Sequence, residues 1–153
     1  HILDFYKDAA KTLLQLYNCF PRKDIVFVED IAGPDDPDEF GLHSTRFEAC
    51  LSTLIWLSSA GYLNYKTLIM REALEEATLT QQAFILLNSA YNHSGSNNQD
   101  LNKPGFNNPG LNPTAPHGSE DLLINLLRQQ LRNGSSTSLA ILVKTVMANF
   151  CLK

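Results

Sequence analysis

Between Asn92 and Gly118 the chain holds almost nothing from which a core could be built. Asn, Gly, Pro and Ser dominate, and the run from Pro104 to Pro113 carries a short degenerate Pro-Gly-apolar-Asn repeat. Such a stretch cannot bury enough apolar area to offset the entropy of ordering it, so residues 92–118 are expected to form a flexible linker. Folded structure must then come from two blocks, residues 2–91 and 119–153.

The first block reads as α+β. Phe5, Ala9, Leu13, Leu16 and Phe20 recur at helical spacing, with Lys7, Asp8 and Lys11 assigned to the opposite face. Asp4 suits the positive end of that helix, and Pro21 stops it. Ile25 to Val28 is a β-branched and aromatic run long enough for one strand. Residues 29–41, rich in acids and turn formers, predict a loop with one helical turn near Asp30. Thr45 and Glu48 have the spacing of a capping box, and Phe47, Cys50, Leu51, Leu54, Ile55 and Leu57 supply the buried stripe of a second long helix. Gly61 is placed to end it in a left-handed cap. Tyr62 to Ile69 reads as a strand and Glu76 to Leu79 as its partner, joined around 71–75. Thr80 caps a third helix carrying Ala83, Phe84 and Leu87.

The second block reads as a helical hairpin over 119–153. Ser119 is expected to cap a helix bearing Leu122, Leu123, Leu126, Leu127 and Leu131. Asn133 and Gly134 break it, and Ser136 or Thr137 opens a last helix lined by Leu139, Leu142, Val143, Val146 and Phe150. About 30 residues of hairpin have too little core to stand alone in water. Its apolar face, namely Leu123, Leu127, Leu131, Leu142, Val146 and Phe150, must fold back on the first block or pair with a second chain. Pairing is the expectation, because the first block looks able to close its own core. A dimer follows from it.

The order helix, strand, helix, Gly61-Tyr62-Leu63, strand, strand resembles the winged helix-turn-helix superfamily. In that superfamily the recognition helix commonly runs straight into a Gly-Tyr-Leu strand, and the wing often closes with Leu-Thr and a further helix. Here the matching residues are Gly61, Tyr62 and Leu63, then Leu79 and Thr80, then Leu86 and Leu87. The resemblance spans about residues 3–90 and implies a winged-helix-like domain over 2–91. The family often has Gly where this chain has Ala83. The helix that should precede the recognition helix is short or replaced by the acidic loop.

Charge weighs on what such a domain would bind. Residues 1–90 hold thirteen acids against seven bases, within a whole-chain net charge of −4. Phosphate binding relies on Lys and Arg displacing counterions, so the acidic block disfavours nucleic acid. If DNA is bound, the resemblance implies contacts from Thr45, Arg46, Lys66 and Arg71. The six acids within 29–39 form the densest charge run. Asp36, Asp38 and Gly41 fit three positions of a calcium loop, but Phe40 and Phe47 fall where ligands belong. A solvated loop is the expected reading, with a weak ion site or a site for a basic partner as the other. His43 and Cys50 lack a second pair to complete a metal centre. No phosphate loop, dinucleotide fingerprint or Gly-x-Ser-x-Gly elbow is present.

No catalytic, cofactor or metal residue is therefore expected, and the chain is not expected to be an enzyme. No apolar run is long enough to span a bilayer. Cys19, Cys50 and Cys151, odd in number and far apart, fit a reducing cytoplasm better than a disulfide framework. The glycosylation patterns at Asn92 and Asn133 matter only in a secreted chain. His1 in place of Met points to a processed, truncated or tagged start. The expected role is a non-catalytic module working through protein contacts, by self-association or as an adaptor. The alternative is a DNA-binding transcription regulator.

Overall fold

The computed structural model describes residues 1–91 and 121–151, so the expected linker and the cap at Ser119 lie outside the described residues. The described part is α+β. Helix α1 (Ile2–Cys19) leads into strand β1 (Asp24–Phe27), a short helix α2 (Val28–Ala32) and a long helix α3 (Thr45–Ser59). Strands β2 (Leu63–Asn64), β3 (Thr67–Ile69) and β4 (Ala73–Leu79) follow, then helices α4 (Gln81–Leu87), α5 (Leu123–Asn133) and α6 (Ser136–Cys151).

Strand β4 organises the sheet. It pairs antiparallel with β1 along one side, and β2 and β3 follow one another along the other. Val26, Leu74 and Leu68 stand opposite one another, as do Phe27, Ala73 and Ile69. Residues directly opposed in a ladder share a face. The first trio faces the core, while Phe27 and Ile69 of the second reach solvent. Glu76 takes a left-handed φ of 49° where the register with β1 shifts, as a β-bulge requires.

Several local expectations move by a residue or two. Ser44, not Thr45, caps α3, its hydroxyl accepting from Phe47 N at 3.2 Å. Val28 opens α2 instead of ending the strand, because its N–H is already bound to Glu72 O at 2.9 Å where the ladder ends. The expected 62–69 strand is broken at Tyr65 and Lys66, and β4 starts at Ala73, three residues before the expected partner strand. Gly61 has φ of 89° just beyond α3, and Thr80 caps α4 by accepting from Ala83 N, both as expected.

The C-terminal helices correct a larger expectation. Leu123, Leu127 and Val146 are fully buried, Leu142 is nearly so, and all belong to the same core as α1, α3 and the sheet. Leu131 packs at its margin, and Phe150 stacks on Tyr62 with ring centres 4.1 Å apart. The face expected to pair with a second chain is thus used inside the molecule, where α5 and α6 lie against α1. The reason lies in α1, which is buried on a broad arc that takes in Asp8, Ala9, Ala10, Thr12, Leu13 and Leu16. One layer made of α3 and the sheet cannot cover such an arc, and the hairpin closes it. Burying a leucine side chain stabilises by about 1.5–3 kcal/mol, so the hairpin contributes substantially to the fold.

The chain leaves for residue 92 and returns at residue 121 side by side. Ala90 and Leu122 form an antiparallel bridge, Tyr91 N donates to Asp121 O and Leu123 N donates to Ser89 O, each at 3.0 Å.

Candidate functional site

A recess of about 310 Å³ opens where the end of β1, the loop after α2 and the β3–β4 hairpin meet. Its walls are Phe27, Pro37, His43 and Phe47, and its carboxylates are Glu29, Asp30 and Glu72. Each part has a local cause. Phe27 is turned outward by strand alternation, since Val26 before it is turned in. Glu72 follows the turn at Met70 and Arg71, which both take left-handed φ, 47° and 60°, closed by Glu72 N donating to Ile69 O at 2.8 Å.

The acidic loop is tied down by two of its own carboxylates. Asp38 Oδ1 accepts from Phe40 N and Leu42 N, both at 2.9 Å. Asp35 joins the loop to the start of α3, accepting from Ser44 Oγ at 2.5 Å and bonding His43 Nδ1 at 2.7 Å. The Ser44 hydroxyl, helped by His43 and backbone donors against partial desolvation, holds the Asp35 carboxyl below its ordinary value. His43 in turn lies flat on Phe47, ring centres 3.8 Å apart, with Nε2 4.0 Å from Glu72 Oε1. The imidazole thus stands between loop and hairpin in the recess wall.

Asp35, His43 and Ser44 are the residue types of a hydrolase triad in the wrong order. In that machinery the imidazole stands between hydroxyl and carboxylate and removes the hydroxyl proton. Here the carboxylate stands in the middle, and the Ser44 oxygen is engaged by Phe47 N as a helix cap. The trio is loop architecture. Cys50 is fully buried with Sγ 3.9 Å from Val28 O, and burial pushes its thiol up to about 12, with Asp8 adding to the rise. A thiol held protonated is a poor nucleophile. Among the described residues, no group of three or more His, Cys, Asp or Glu is placed to hold a metal ion. Nor is any described helix long and apolar enough to cross a membrane.

Three of the four residues expected to touch DNA are engaged within the molecule. Arg46, half-buried, grips the buried carboxylate of Asp8 with both terminal nitrogens, at 2.7 and 2.5 Å. Asp8, expected on the outer face of α1, is only 1% exposed. The paired carboxylate raises the Arg46 guanidinium above its ordinary value. Arg71 meets Glu48 of α3 at 3.1 Å, and Lys66 lies 3.7 Å from Glu76. Thr45 is exposed at the first turn of α3. The Arg71–Glu48 pair brings the hairpin tip beside that turn, whereas Lys66 sits further along the sheet.

What the sequence reading passed over is the apolar side of this region. Phe27 is 48% exposed, Met70 83% and Phe40 80%, with Ile25, Ile69 and Leu42 also open to solvent. A signal was present in β1, where Ile25 and Phe27 alternate with Val26, so that both faces of the strand are apolar. Known proteins offer no guide: the chain matches no family model, no curated protein and no solved structure.

Proposed function

We propose that the protein is a non-catalytic module, winged-helix-like over residues 2–91, that acts by docking another protein on the outer face of its sheet and the adjoining recess. The observation that carries this reading is the group of exposed apolar residues Phe27, Ile69 and Met70, set among carboxylates. Isolated exposed apolar residues are ordinary, but a contiguous set rimmed by polar groups is the signature of an interaction surface. The turn at Met70 and Arg71 supports it. Two consecutive left-handed positions are the place for Asn-Gly, and a bulky pair there costs about 1–2 kcal/mol per residue. Such strain clusters at functional sites, where the surrounding structure holds it in place.

The winged-helix reading draws on the order of α1, β1, α3 and the β3–β4 hairpin, and on Gly61 ending α3 directly before Tyr62 and Leu63. Self-association through the C-terminal leucines is set aside, because those side chains are in the core. The DNA-binding alternative loses Arg46 to Asp8 and must rely on Arg71 and Lys66, both beside carboxylates.

The test is a pair of measurements on the intact chain. Wild type should retain a specific partner that a folded Phe27→Asp/Met70→Asp variant releases. Labelled duplex at low salt should bind no tighter than about 100 µM, the weak end of non-specific affinity. Tighter duplex binding that falls on Arg71→Ala and Lys66→Ala would favour the transcription-regulator reading.

A further inference from the structure

We infer that the outer sheet face and its recess receive a short basic and apolar peptide segment of a partner protein, with one Arg or Lys side chain entering the recess. The inference rests on the protein-docking reading and adds the chemistry of the occupant. Charge complementarity carries it. Glu29, Asp30 and Glu72 converge on the recess, and no lysine or arginine is among its lining residues. The nearby bases are committed elsewhere: Lys11 donates to Ile31 O at 3.0 Å, Arg46 holds Asp8, Arg71 holds Glu48 and Lys66 lies by Glu76. Phe27, exposed in the recess wall, presents an open ring, and a cation over an aromatic face gains electrostatic attraction as well as apolar contact for its stem. A guanidinium would also make paired, charge-assisted hydrogen bonds to a carboxylate. Beside the recess, Phe27, Ile69 and Met70 offer contact for apolar residues on either side of the base.

The same geometry argues how the segment binds. Added-strand pairing along β1 is obstructed, because Ile25 N already donates to Asp24 Oδ1 at 2.9 Å and Ile25 O accepts from Gln15 Nε2 at 3.1 Å. Edges blocked in this way resist strand addition. With the β1 edge engaged, the peptide lies across the face beside it and is read by its side chains.

The test titrates three synthetic hexapeptides into the isotopically labelled full chain, followed by amide shifts. One alternates Arg with Leu, one replaces each Arg by Gln, and one replaces each Arg by Glu. The Arg peptide should shift Phe27, His43, Met70 and Glu72, and bind at least about tenfold more tightly than the Gln peptide, as desolvated charge pairing requires. Raising salt from about 0.02 M to about 0.3 M should weaken it several-fold. Glu72→Gln and Glu29→Gln/Asp30→Asn, at exposed positions that do not threaten the fold, should each cost about fivefold or more. Equal binding of Arg and Gln peptides at these residues would overturn the cationic assignment while leaving a docking face. Binding of none, or shifts confined to other surfaces, would overturn the whole inference. The partner-release measurement on Phe27→Asp/Met70→Asp then judges the broader reading separately. A concentration-dependent dimer abolished by that variant would show a second copy as the occupant, against the inference.

Discussion

Arg46 is bound to Asp8 through both terminal nitrogens, so removing it strands a carboxylate that water scarcely reaches. Breaking a buried pair from one side costs about 3–5 kcal/mol, and the partial exposure of the Arg46 side chain lowers that to about 2–3 kcal/mol here. Arg46→Ala should therefore lower the urea midpoint sharply, and Arg46→Met with Asp8→Leu should recover much of the loss, as apolar replacement of both partners often does. A near-neutral Arg46→Ala would mean that the residue is free for an external contact. Asp35 gives a pH-dependent counterpart. Its folded value lies below the ordinary 3.8, so its contribution is fully present above that value and is lost as pH falls through the lower, folded one. The stability gap between wild type and Asp35→Asn should be flat above about pH 5 and close toward strong acid. A gap unchanged down to pH about 2 would show that Asp35 does not anchor the loop through its charge.

Among the elements, the β3–β4 hairpin trades stability for exposed side chains. Met70→Asn with Arg71→Gly suits the two left-handed positions and should raise stability by about 1 kcal/mol or more. The surface pair of Arg71 with Glu48, worth less than about 1 kcal/mol, does not offset that gain. The same variant should weaken peptide binding through the loss of Met70. Gain of stability together with undiminished binding would remove the hairpin tip from the docking surface. The bridge of Ala90 with Leu122 makes a second prediction about connection rather than strain. Since the ends already meet, replacing residues 93–119 with about six Gly and Ser residues should leave the fold intact and stabilise it by about 1 kcal/mol, from a smaller closure entropy. Thermal unfolding would measure it, and a lowered midpoint would show that the replaced stretch contributes contacts to the fold.

For the whole molecule the hairpin formed by α5 and α6 is part of the only core that the described residues build around α1. Leu127 is fully buried there, and Leu127→Ala should cost about 2–5 kcal/mol. Chains ending at residue 91 should expose the uncovered arc of α1 and lose cooperative unfolding, while the intact chain sediments as a monomer. A stable, cooperative 1–91 fragment would return the hairpin to the status of a separate appendage.

Local physics made much of this chain legible in its sequence. Pro21 ends α1, Gly61 ends α3, Thr80 opens α4 and Gly134 separates α5 from α6, because each depends on one residue's own backbone or capping chemistry. Helical periodicity likewise marked Leu127 and Val146 as buried. It could not say against what, since an apolar stripe is equally satisfied by its own chain or by another. Asp8 was misplaced for a related reason: a charge is assigned to solvent until a partner 38 residues away, here Arg46, is seen to neutralise it inside. The recess was hidden as well, because Glu29, His43 and Glu72 converge only when the loop, α3 and the hairpin fold together. The sequence determined the elements and their breaks, which rest on neighbours in the chain. Tertiary structure alone decided which faces meet and which charges are neutralised, and so which apolar side chains remain open to a partner.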